Sequence, residues 1–73
     1  MDNIITQIKH LFKAITRENV TRLEIEARLV DIQDLLDTLK TMTPEMNQPQ
    51  LHVYHPFNLY CVVAINNIKS GLT

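Results

Sequence analysis

The segment Val20–Met42, VTRLEIEARLVDIQDLLDTLKTM, decides how the rest of the chain is read. Ile25, Leu29, Ile32, Leu36 and Leu39 recur at alternating steps of four and three. On an α-helix that spacing gathers all five into one narrow stripe. At about 1.5 Å per residue the segment makes a rod roughly 35 Å long. A second set, Val20, Leu23, Ala27 and Val30, follows the same spacing on roughly the opposite side. A helix with two apolar sides wants neighbours on both. A chain of 73 residues supplies one of them well, so the other is expected from a partner. The sequence pattern alone therefore describes an interaction module.

Composition agrees. A single small domain is expected, and one of this size buries only about 60% of its unfolded surface. Apolar residues make up 45% of the chain, too many for a disordered tail. There is no Trp, with two Phe and two Tyr, so the core is expected to be aliphatic. One Gly and three Pro leave few tight turns and favour long helices over many strands. The net charge of -1 argues against binding driven by nucleic-acid phosphates, which needs a basic excess. Charge is unevenly spread. Lys9, Lys13, Arg17 and Arg22 outweigh Asp2 and Glu18 at the start. Glu24, Glu26, Asp31, Asp34, Asp37 and Glu45 outweigh Arg28 and Lys40 in the centre. Solvated helix faces that attract one another explain this; a basic strip Lys9–Lys13–Arg17 for an acidic partner is the sharper alternative.

Outward from the central segment, Ile4, Ile5, Ile8, Leu11, Phe12 and Ile15 keep a 3.6-residue period. They predict an amphipathic helix over residues 3–16, with Asp2 as its cap. The stripe loses phase at Thr16–Asn19, where a break is expected, with Thr16 or Asn19 capping the long helix. Lys40-Thr41-Met42 ends that helix. Residues 41–50, with Thr43-Pro44-Glu45 and Pro49, read as the turn of a hairpin that holds at most one helical turn. The last third admits two readings. Phe57, Cys61, Ala64 and Ile68 make a helical face widened by Leu59, Val62 and Val63, with Gly71 as its stop. Leu59–Ile65 and Leu51–Tyr54 also read as strands. Length and Gly71 favour helix, starting near His55 or, kinked at Pro56, near Pro49. The fold class expected is all-α: a helical hairpin of central and C-terminal helices, with a short N-terminal amphipathic helix, in one domain spanning residues 1–73.

Signals for chemistry are sparse. His52 and His55 lie one helical turn apart, and His10 and Cys61 complete a metal set only on paper, since structural zinc sites bring two compact ligand pairs. Cys61 with a histidine lacks an orienting third group and a Gly-rich oxyanion turn. The chain has too little volume for an ordinary catalytic cleft. No enzyme activity, cofactor or metal is expected. Cys61, the one cysteine, rules out an intramolecular disulfide and, with no signal-peptide pattern, points to the cytoplasm. No apolar run reaches the ~20 residues that span a bilayer, so no membrane association is expected. Asn19-Val20-Thr21 matches a glycosylation acceptor, read as chance without an export signal.

Two stretches, residues 5–36 (ITQIKHLFKAITRENVTRLEIEARLVDIQDLL) and 50–71 (QLHVYHPFNLYCVVAINNIKSG), together resemble a family. In order, length and apolar phase the chain is similar to the small helical co-chaperones of type III secretion needle subunits. The likeness rests on Ile5-Thr6-Gln7, on heptad-like aliphatics, on Gln50, Val53 and Tyr54, and on Ala64-Ile65. It covers nearly the whole chain and contains no diagnostic motif. His55-Pro56 departs from the unbroken helix usual in that family. The resemblance implies a cytoplasmic helical hairpin that pairs with a second chaperone of tetratricopeptide-like repeats. Together the two would hold the needle subunit monomeric before export. Helix-in-groove contacts are expected, with Leu23, Leu29, Val30, Tyr54, Phe57 and Tyr60 as partner-binding candidates. Without its partner the chain is expected to self-associate through the same surface. Two rival readings are a small regulatory protein binding nucleic acid through Lys9, Lys13, Arg17 and Arg22, and a structural coiled-coil homodimer.

Overall fold

A computed structural model describes residues 1–17 and 19–72. Glu18, counted above among the N-terminal acids, and Thr73 lie outside the described residues. The fold is all-α. Helix α1 spans Asp2–Ile15, α2 Arg22–Met42 and α3 Gln48–Leu72, with a 3-10 turn at Thr43–Glu45 between α2 and α3. No strand occurs among the described residues, so both strand readings of the last third fall away. The chain divides into two compact units, Met1–Thr41 and Met42–Thr73.

In the first unit, α1 buries Ile5, Ile8 and Ile15. The expected periodicity holds, but Asp2 lies inside the first turn and Met1 precedes it without a side-chain cap. There the carboxylate still opposes the positive end of the helix dipole. At the other end the Thr16 hydroxyl donates to the Lys13 carbonyl at 3.0 Å, and Arg17 Nε donates to the Ala14 carbonyl at 3.2 Å. Both serve carbonyls that the helix end leaves open. Asn19 then takes φ 65°, a left-handed turn that Asn tolerates better than most residues.

The break falls where the lost phase placed it, but neither Thr16 nor Asn19 caps α2. Thr21 does. Its hydroxyl accepts from the Glu24 N–H at 3.1 Å, and its carbonyl accepts from the Ile25 N–H at 3.1 Å. Thr21-Arg22-Leu23-Glu24 carries the Thr-x-x-Glu spacing of a helix start. The helix therefore begins after Val20, which drops out of the second stripe. The first stripe is the core of α2: Leu29, Ile32, Leu36 and Leu39 are buried, Ile25 half-buried.

In the second unit, Asn47 and Gln50 start α3 reciprocally. The Gln50 N–H donates to Asn47 Oδ1 and the Asn47 N–H to Gln50 Oε1, both at 3.0 Å. This is the capping-box arrangement, worth about 1 kcal/mol at such a position. Pro49 lies in the first turn, where its missing N–H costs nothing. The helix continues through Pro56, which cannot donate to the His52 carbonyl. Both residues are exposed, so water can serve that carbonyl. Gly71 is not a left-handed stop; it lies within α3 and no glycine has positive φ. The buried residues of α3 are Tyr54, Cys61 and Ile65.

Candidate functional site

The outer side of α2 begins with Leu23, 76% exposed, passes Ala27, and reaches Val30, 61% exposed. Helical spacing of four and three puts them on one strip. Arg22 Nε and Glu26 Oε1, 3.3 Å apart, flank it as an exposed i,i+4 pair, worth only about 0.3–0.5 kcal/mol. On the same line, further along the helix, stand Asp34 and Asp37. The strip is thus apolar over two turns and acidic beyond.

Helix α3 leaves more apolar surface outside. Val53, Leu59, Tyr60, Val62 and Val63 are all exposed. The expectation that Leu59, Val62 and Val63 widen the buried face is overturned. The core line runs through Tyr54, Cys61 and Ile65, with Phe57, Ala64 and Ile68 half-buried beside it. Leu59, Val62 and Val63 fall 100° or more from Cys61 on the helix circle, which puts them outside that line. Between Gln48 and Ile68 there is no Asp, Glu, Lys or Arg; Lys69 is the single such residue of the helix. A helix that is apolar on more than one side and nearly without charge is ordinarily covered.

Of the six partner-binding candidates, Leu23, Val30 and Tyr60 are exposed and Phe57 is half-buried. Leu29 and Tyr54 are core, 5% and 4% exposed. Leu29 sits in the inner stripe. Tyr54 lies two turns before Cys61 and shares its phase, a signal present in the spacing. In their place the structure exposes Val53, Leu59, Val62 and Val63.

Chemistry finds little footing. Among the described residues no three His, Cys, Asp or Glu are placed to hold a metal ion. His52 and His55 are exposed and line an open depression of about 430 Å³ with Gln48, Leu51 and Pro56. The His55 ring stands edge-on to Tyr54, centroids 5.3 Å apart. Cys61 is fully buried, and burial pushes its thiol up to about 11. Little thiolate is available there as a nucleophile at neutral pH. Because folding favours the protonated thiol, this group's contribution to stability is intact at neutral pH and declines as pH rises from the ordinary thiol range towards 11.

In the first unit, an open groove of about 700 Å³ between α1 and α2 is lined by the apolar Leu11, Ala14 and Leu35 and by the polar Gln7, His10, Arg28, Asp31 and Asp34. Arg28 and Asp31, 3.7 Å apart, pair along α2. Lys9, Lys13 and Arg17 are exposed, while Arg22 is engaged with Glu26. No described helix is long and apolar enough to cross a membrane.

No family model matches this chain, and comparison with curated proteins and with solved structures returns no match.

Proposed function

We propose that this protein is a cytoplasmic escort of the type III secretion needle, the smaller member of a chaperone pair. In this reading it joins a chaperone of tetratricopeptide-like repeats, and the two keep the needle subunit monomeric and soluble until export. It is not an enzyme and needs no cofactor. The observation that carries the reading is the apolar side chains left outside on two helices, above all on a 25-residue α3 with one charged residue. Leu23 and Val30 on α2, and Tyr60 with the half-buried Phe57 on α3, are the anchors proposed for a helical-repeat groove.

Magnitudes show what such a contact needs. Complete burial of Leu23 and Val30 is worth roughly 3–6 kcal/mol. Association costs about 4–15 kcal/mol in lost freedom. Two anchors do not hold a stable complex, so a lasting one must also draw on the apolar reserve of α3.

Mild affinity capture of the tagged chain from native extract tests the reading. It should return a helical-repeat protein and a needle subunit in fixed ratio, and the needle subunit should precipitate when either escort is withheld. A chain recovered alone, monomeric and stable contradicts it.

A further inference from the structure

We propose that the open groove between α1 and α2 is a binding site for a basic, amphipathic helix of another protein. The inference is independent of the secretion reading, whose anchors lie on the outer strip of α2 and on α3.

The groove is lined along two helix edges. Gln7, Leu11 and Ala14 follow at steps of four and three on α1, and Arg28, Asp31 and Leu35 at steps of three and four on α2. Each edge is about 10 Å long, two helical turns. The volume of about 700 Å³ falls within the roughly 300–1,000 Å³ of sites that take ligands. Leu11, Ala14 and Leu35 are half-buried, so each keeps apolar surface for a guest. Ala14 has only a methyl group where Gln7 and Leu11 on the same edge carry longer side chains, and that leaves room. A furrow bounded by two helices suits a third helix, whose ridge of side chains at the same steps fills it.

Charge on the rim names the occupant. The α1 edge contributes no Asp, Glu, Lys or Arg to the groove, whereas the α2 edge contributes Arg28, Asp31 and Asp34. Arg28 lies 3.7 Å from Asp31, so those two largely offset each other. Among the described residues the Asp34 carboxylate has no cation within ion-pair reach. It stands about 9 Å beyond Arg28 along α2. An apolar groove with one unanswered carboxylate at its edge favours a guest with Lys or Arg beside its apolar stripe and rejects an acidic one. A second copy of this chain offers no such guest. Helix α3 has no Lys or Arg before Lys69, and the outer strip of α2 runs into Asp34 and Asp37. Helix α1, which carries Lys9 and Lys13, has Ile5, Ile8 and Ile15 buried. The occupant is therefore a different protein.

Nuclear magnetic resonance titration of the isotopically labelled full chain tests this, with circular dichroism as the check on folding. The probes are two synthetic helical peptides of one design, with leucines at steps of three and four and, along one edge, Lys in the first and Glu in the second. The Lys peptide should shift the amide signals of Leu11, Ala14, Asp31 and Leu35 to saturation. The Glu peptide should bind about tenfold more weakly. Asp34→Lys, at an exposed position, should keep the fold and reverse the preference. Should that variant lose helicity, Asp34→Asn is read in its place and should bind both peptides alike. No saturable shift, shifts centred on α3 or on Leu23 and Val30, equal binding of the two peptides by the wild type, or a preference that survives the Asp34 substitution overturns the proposal. Because no chaperone or needle subunit enters the titration, its failure leaves the secretion reading standing, and failure of the capture experiment leaves this one.

Discussion

Replacing Ile32 with Asp is expected to abolish the helical circular-dichroism signal of the chain at neutral pH. Ile32 is the middle of the α2 stripe and is fully buried. Removal of its side chain to Ala size alone costs about 2–5 kcal/mol. The introduced carboxylate would have no partner there, and an unpaired buried charge adds several kcal/mol more or forces the site open. At 0.05–0.15 kcal/mol per residue, a domain of this length has roughly 4–11 kcal/mol of stability in total. The penalty meets or exceeds that reserve. Thermal and urea melts should show no cooperative transition.

The second large effect is on binding rather than folding. Val30→Asp, two residues away, should leave helicity and melting within about 0.5 kcal/mol of the wild type, as exposed substitutions do. Val30 is 61% exposed, so a charge there stays in water. In a complex with a helical-repeat chaperone the same charge would be driven into an apolar groove, and capture of the partner should be lost. Capture undiminished by Val30→Asp would remove the outer strip of α2 from the proposed interface. Equal unfolding of the two variants would show that the division of α2 into inner and outer sides is wrong.

The helical character of α2 is the part of the structure most plainly written in the sequence. Two apolar sets share its spacing, however, and only the packing shows that the set from Ile25 to Leu39 is inside, with four members buried and the fifth half-buried, while Leu23 and Val30 lie outside. The all-α class follows from the same source. Helix ends were less legible because they depend on single hydrogen bonds rather than on sums over many residues. Thr21 and Asn47 each stand three residues before a Glu or Gln, a signal available from spacing, yet Thr16, Asn19 and Asp2 compete as caps on residue type alone. Gly71 illustrates the converse: a residue free to end a helix does not have to. For the candidate surface, Leu23, Val30 and Tyr60 are exposed, whereas Leu29 and Tyr54 are core. In α3 the apolar residues surround the helix, so periodicity fails to say which side is inside. The one usable signal is that Tyr54, unlike Val53 beside it, stands seven residues before the buried Cys61 and so shares its phase.

Thiol labelling reaches the central claim most directly, since the claim is that apolar side chains of a folded chain lie open to solvent. Cys61, the one native cysteine, is fully buried and serves as the internal standard. In dilute, folded protein, thiols introduced by Val30→Cys and Val63→Cys should react at nearly the rate of an unfolded control, while Cys61 reacts only after urea unfolds the chain. Introduced thiols as protected as Cys61 in a chain of one-copy mass would show that the protein shelters these positions by itself, and would contradict the account.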